Sequence, residues 1–239
     1  MDHFGLIGKK LSHSFSESYF KEKFQSADIK AEYGLFEMDS LDRLKTVVTE
    51  KKLNGFNVTI PFKQEILPIL NRIDSAAEEI GAVNCVRVQN GVLSGYNTDA
   101  YGFEKSLKSF YLDNGTALVL GNGGSSRAVQ YVLSKNNIPF KVVSRSGTLN
   151  YKNIHANHLK DANLIINTTP LGMFPMIDTY PNIPYEAIGS QHYVFDLIYN
   201  PEETTFLRRA RIAGAKTRNG LDMLHLQAEK SWEIWNEMN

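Results

Sequence analysis

The chain has 239 residues, room for one large domain or two small ones. At that size about 70–75% of the unfolded surface is buried on folding, so no disulfide or metal is needed to hold a core. Its 26 Lys+Arg balance 26 Asp+Glu, which excludes the net field that would draw nucleic acid or an anionic membrane. One cysteine, Cys85, excludes an internal disulfide; no Cys/His cluster has zinc-ligand spacing, and no apolar run nears the ~20 residues of a bilayer span. With an N-terminus, MDHFGLIGKK, too polar for a signal peptide, these features predict a soluble cytoplasmic protein that handles small molecules, with no metal, nucleic-acid or membrane partner.

In chain order, short apolar runs alternate with amphipathic stretches. FGLIG precedes SFSESYFKEKFQ, EYGLFEM precedes SLDRLKTVVTEKK, and GFNVTI precedes KQEILPILNRI. Strand then helix, repeated, predicts an α/β fold with a mainly parallel sheet. VNCVRVQNGVLSGYNT reads as two strands joined by a Gln89-Asn90-Gly91 turn. A second phase starts near Asn114-Gly115, where TALVLG, GGSSRAVQYVLSKNN and FKVVS form one βαβ unit. NLIINTT and HYVFDLIY add strands, and TTFLRRARIAG and GLDMLHLQAEKSWEIWNEM add helices. The order predicts two lobes with a ligand cleft between them, 1–112 with 215–239 and 113–214. The last helix, with Trp232 and Trp235 on its apolar face, is expected to return to the first lobe.

The segment Leu118 to Arg127 sets a glycine-rich turn between a buried strand and a helix, the context in which such a turn binds a dinucleotide. Gly121 allows the tight turn, Gly123 lets backbone approach a pyrophosphate, and free amides at the helix start hold its charge. Ser126, small enough to keep helix and strand close, stands where a third glycine is usual. The next strand runs into Ser144-Arg145-Ser146 with no carboxylate. A guanidinium pairs with a 2′-phosphate and stacks on adenine, so Arg145 points to NADP. A ligand-free turn and a solvated loop arginine are the plainer alternatives.

Several first-lobe polar residues also sit where folding alone does not call for them. Asn57 and Thr59 fall on one face of the strand Gly55 to Ile60, although Asn is depleted in strands. Lys63 starts a predicted helix, where the macrodipole slightly disfavours a cation, and Asn84 interrupts an apolar strand. Each has a plainer alternative: Lys63 as a solvated lysine, Asp99 as a helix N-cap, and Ser14 with Glu17 as a capping box.

Ser14-Phe15-Ser16, Asn57 to Lys63, Gly81 to Asn84, Gly95 to Asp99, Gly121 to Gly124, Asn167 to Met173, Asp196 to Pro201, and Gly220 to Leu224 with Gln227 stand in the order and approximate spacing of shikimate dehydrogenases. The chain resembles that family from residue 4 to about 236. The resemblance implies a substrate and catalytic lobe, 1–112 with 215–239, and a Rossmann-like NADP lobe, 113–214. It implies reversible oxidation of shikimate to 3-dehydroshikimate with hydride passing to NADP, run reductively toward chorismate and the aromatic amino acids. Ser14, Ser16 and Tyr199 would hold the substrate carboxylate, and Asn57, Thr59, Asn84 and Gln227 would read the ring hydroxyls. Lys63 and Asp99 would flank the reacting hydroxyl, Lys63 moving the proton with Asp99 as its partner, or the reverse. The cofactor would meet Gly121, Asn122, Gly123, Gly124, Ser125, Ser144, Arg145, Thr168, Thr169, Leu197 and Gly220, with either Met173 or Leu197 beside Gly220 lining the nicotinamide pocket. The resemblance leaves monomer and homodimer both open.

The sequence departs from the family pattern at Glu17 (usually Pro), Phe62 (commonly polar), Cys85 (commonly hydroxylated) and Ser144-Arg145-Ser146 (usually Asn-Arg-Thr). Between Arg145 and Asn163 the segment GTLNYKNIHANHLKDA is too short for the strand and helix the family inserts there, which predicts a trimmed cofactor lobe. Oxidation of quinate with NAD or NADP, and metabolite binding without catalysis, are the competing readings.

Overall fold

A computed structural model describes residues 1–11, 14–111 and 115–237. In chain order the elements are β1 (Asp2–Gly8), α1 (Phe15–Ser26), β2 (Ala31–Glu37), α2 (Leu44–Glu50), β3 (Gly55–Val58), β4 (Arg72–Ile73), α3 (Ser75–Ile80), β5 (Cys85–Gln89), β6 (Val92–Tyr96) and α4 (Thr98–Lys108), followed by β7 (Ala117–Leu120), α5 (Gly124–Lys135), β8 (Phe140–Val143), α6 (Ala156–Lys160), β9 (Leu164–Asn167), β10 (Tyr193–Asp196), α7 (Thr205–Ile212), β11 (Lys216–Arg218) and α8 (Leu221–Asn236). The chain divides into one compact unit of Met1–Thr98 with Ala228–Asn239 and a second of Asp99–Gln227. The lobe boundary expected near residue 112 lies outside the described residues.

The first unit holds a six-stranded sheet in the order β2-β1-β3-β5-β6-β4. Strands β2, β1 and β3 run parallel, and β5 pairs antiparallel with both β3 and β6. The hairpin turns where expected: Asn90 and Gly91 both have positive φ, 51° and 78°, as a two-residue type I′ turn requires. Alternating side chains send Ile7, Phe56, Val58 and Val86 to one apolar face with α2, and Phe4, Leu6, Tyr33 and Cys85 to the other. The later turns of α8 cover that second face, as expected. The Trp235 ring stacks on Phe4 at 4.7 Å between centroids, and its Nε1 donates to Val86 O at 3.0 Å.

Two local expectations fail in this unit. KQEILPILNRI is not an α-helix: residues 61–66 form turns, Leu67–Ile69 makes one 3₁₀ turn, and Arg72–Ile73 is a short strand. Pro68 has no N–H to donate and its ring opposes a preceding helical turn, so the stretch cannot continue as an α-helix. The Ser14/Glu17 capping box is absent as well. Ser14 stands at the N-cap of α1 with no side-chain cap bond, while Glu17 accepts from Lys21 Nζ at 2.7 Å.

The second unit holds a five-stranded sheet, β11-β10-β9-β7-β8, in which every pairing is parallel. Its central strands are fully buried, and Leu118, Leu120, Val143, Ile165 and Val194 pack with Phe206 and Leu207 of α7. Between β8 and β9 lie only turns and the five-residue α6, so β8 is left as a sheet edge and the expected trimming is present.

Candidate active site

The second sheet has its topological switch point at β7: β8 pairs on one side and β9 on the other. In open parallel sheets the crevice outside the carboxyl ends of two such strands receives ligands. Those ends carry Gly121–Gly124 and Thr168–Thr169. Gly121 has φ of +111°, and a Cβ there would lie 2.6 Å from Thr168 Oγ1, so only glycine fits without displacement. Thr168 Oγ1 donates to Leu120 O at 2.7 Å, and Ser126 Oγ donates to Gly121 O at 2.8 Å, fixing the turn from both sides. Gly123 differs, because a Cβ there would meet nothing within 4 Å. It is the N-cap of the twelve-residue α5, with no side-chain cap bond and no acidic residue in the first turn. A helix start with a glycine N-cap, no acidic residue and Arg127 in its first turn, beside open space, suits an anionic group. The residues present therefore fit a dinucleotide pyrophosphate.

Beside that turn is a cavity of about 650 Å³, within the size range of nucleotide pockets. Asn122 and Ser144 border it, with Lys141 and His158 among its other lining residues. Arg145 is exposed at the end of β8, and its charge offsets part of the burial effect that raises the Tyr151 hydroxyl's pKa.

Leu197 and Tyr199 follow β10 and are half-buried. Gly220 lies so close to Leu197 O that any Cβ would overlap it, and its N–H donates to Ile198 O at 3.0 Å. Met173 is exposed after the β9 turn. Asp99 is not a cap but stands in the first turn of α4, buried. Gln227 is buried and donates to Leu224 O at 3.1 Å.

In the first unit the expected polar residues belong to a buried chain of hydrogen bonds. Tyr33 Oη donates to Asn57 Oδ1 at 2.9 Å, and Asn57 Nδ2 donates to Ser231 Oγ at 2.9 Å and Asn84 O at 3.2 Å. Asn84 Nδ2 donates to Thr98 Oγ1 at 2.9 Å, and Asn84 Oδ1 accepts from Thr98 N at 2.6 Å. Burial pushes the Tyr33 hydroxyl's pKa well above its ordinary range, against a smaller lowering effect from its hydrogen bond with Ser16. The amides expected to face a ligand thus also bond to the protein itself, Asn57 to Ser231 and the Asn84 carbonyl and Asn84 to Thr98, which gives both a folding role that strand periodicity does not supply. Thr59 sits one residue past β3, and Asn84 one before β5. Ser14, Ser16, Thr59 and Lys63 are half-buried.

The sequence reading gave no role to Tyr33, Thr98 and Ser231, or to the buried set Asn167, Asp196 and Thr204 in the second unit. One signal was available for the second set. Asn167 and Asp196 are the polar last residues of the otherwise apolar strands LIIN and YVFD.

A family model described as the shikimate dehydrogenase substrate binding domain matches residues 6–86. A shikimate dehydrogenase (NADP(+)) of Methanococcus maripaludis is 42% identical over 97% of this chain and 90% of its own. A shikimate dehydrogenase structure from Peptoclostridium difficile is 35% identical with a TM-score of 0.85, covering 100% of this chain and 94% of that one. A Thermus thermophilus shikimate 5-dehydrogenase in complex with NADP(H) and shikimate is 30% identical with a TM-score of 0.88, again over 100% and 94%.

Proposed function

The chain belongs to the shikimate dehydrogenase family, and we infer from that premise that it reversibly oxidises the ring alcohol of shikimate to 3-dehydroshikimate with NADP. It is an NADP-dependent oxidoreductase of the shikimate pathway, which leads to chorismate and the aromatic amino acids. The observation that supports this most is the open, uncapped glycine turn at the switch point of a parallel sheet, in a chain this similar to NADP-dependent enzymes.

The residue roles follow from chemistry. NADP, when bound, supplies the hydride acceptor; the backbone from Gly121 to Gly124 with Ser125 holds its pyrophosphate, and Ser144, Arg145 and Asn122 hold its adenosine 2′-phosphate end beside the 650 Å³ cavity. Thr168, Thr169, Leu197 and Gly220 line the nicotinamide half. Loss of a hydride from the ring carbon leaves the hydroxyl proton to be removed, and Lys63 takes it. Asp99 is its partner and orients Lys63 beside that hydroxyl. Ser14, Ser16 and Tyr199 hold the carboxylate, and Asn57, Thr59, Asn84 and Gln227 read the remaining hydroxyls.

Unit 1 with the end of α8 is the substrate unit, and the parallel-sheet unit is the cofactor unit. The proposal places the enzyme in the cytoplasm, as a monomer or homodimer. Among the described residues no helix is long and apolar enough to cross a membrane. The test is kcat/KM for shikimate and quinate with NADP and NAD. The reading expects shikimate with NADP to lead; quinate with NAD leading would replace it, and binding of shikimate without turnover would end it.

A further inference from the structure

Asp196 and Thr204 have no part in that reading, yet both are fully buried next to backbone that does. Asp196 ends β10, and its carboxylate accepts three hydrogen bonds, all from neutral donors: Oδ1 from Asn167 Nδ2 at 3.0 Å and Ile198 N at 3.1 Å, and Oδ2 from Thr204 Oγ1 at 2.6 Å. A carboxylate buried without a cation costs desolvation free energy, which the three hydrogen bonds offset in part, and an apolar residue in its place would leave all three donors unpaired. In keeping with that cost, burial pushes the Asp196 carboxyl up to about 7.

Its three donors belong to three different segments. Asn167 is the last residue of β9, and its Oδ1 accepts from Thr169 N at 3.0 Å and Thr169 Oγ1 at 2.7 Å, which sets the turn after that strand. Ile198 lies between Leu197 and Tyr199, and its carbonyl receives the Gly220 N–H. Thr204 is the N-cap of α7, whose Leu207 N donates to its hydroxyl at 3.2 Å. One carboxylate thus ties together the Thr168–Thr169 turn, the Leu197–Tyr199 run with its Gly220 neighbour, and the start of α7.

We propose that Asp196, clasped by Asn167 and Thr204, is a positioning residue that holds the loops after β9 and β10 in the arrangement the cofactor meets, so that affinity for NADP depends on this clasp. The inference rests on the cofactor reading of Thr168, Thr169, Leu197 and Gly220.

The experiment measures the Kd of NADP by calorimetry on the full chain and on Asp196→Asn, Thr204→Val and Thr204→Ser, with a melting curve for each. Asp196→Asn and Thr204→Val are expected to weaken NADP binding by about tenfold, the size of one lost hydrogen bond to a charged group. Thr204→Ser, which keeps the donor, is expected to bind within about twofold of the parent. A role in stability alone would lower the melting temperature and leave the Kd of the folded protein unchanged, and that result overturns the clasp. If Asp196→Asn does not fold, the Thr204 pair decides on the same criterion. A parent chain that binds no NADP would refute the cofactor reading and the clasp with it, whereas parent and variants binding equally would remove the clasp alone.

Discussion

Two glycines two residues apart face opposite constraints, and exchanging each for alanine separates folding from cofactor binding. At Gly121, alanine must adopt φ of +111° and set its methyl 2.6 Å from Thr168 Oγ1. The backbone strain alone is about 1–3 kcal/mol, and the hydroxyl cannot retreat without giving up its bond to Leu120 O. At Gly123, φ is −92° and a methyl meets nothing within 4 Å. The expected folding cost there is below about 1 kcal/mol, that of replacing a glycine N-cap. The methyl does, however, occupy the open space through which backbone would approach a pyrophosphate. Denaturant titration with a parallel NADP binding curve checks both. Gly121→Ala is expected to lose stability and affinity together. Gly123→Ala is expected to keep its midpoint and lose tenfold or more in affinity, about 1.4 kcal/mol. Undiminished NADP binding by Gly123→Ala would refute the reasoning, because the space would then not be the one the cofactor uses.

Trp235→Ala removes a ring buried against Phe4, Phe20 and Tyr33 together with its indole N–H bond to Val86 O. The loss is expected at about 3–5 kcal/mol in urea unfolding. Ser14→Ala is expected to change stability by no more than about 0.5 kcal/mol, since the hydroxyl makes no cap bond, while raising the KM for shikimate in steady-state assays. Asp196 supplies a pH dependence. Its folded pKa, about 7, is raised above the ordinary carboxylate value, so its contribution to stability is complete below about pH 4 and is lost as pH rises through 7. Melting curves from pH 4 to 8 should show a downward slope that is reduced in Asp196→Asn.

Much of this architecture is visible in local sequence because the signals are strong and short-ranged. Asn90-Gly91 dictates its own turn, TALVLG followed by GGSS marks a buried strand entering a helix, and the 16 residues from Gly147 to Ala162 are too few for another full βα unit. The misses have physical causes. KQEILPILNRI has helical apolar spacing, but Pro68 overrides periodicity. The short edge strands Arg72–Ile73 and Lys216–Arg218 are held by pairing rather than by pattern, so no window announces them. The S-x-x-E signature at Ser14 is real as a motif, yet Glu17 finds Lys21 one turn on. The buried networks depend on residues far apart in the chain, such as Asn57 with Ser231 and Asn167 with Asp196. Local sequence says only that a polar residue is out of place, not what it meets.

The measurement closest to the central claim is single-turnover oxidation of shikimate by Lys63→Ala at saturating NADP, beside the Kd of each ligand. With Lys63 as the proton acceptor, the rate should fall by at least about 10²-fold while both ligands still bind. Turnover equal to that of the parent chain would contradict it.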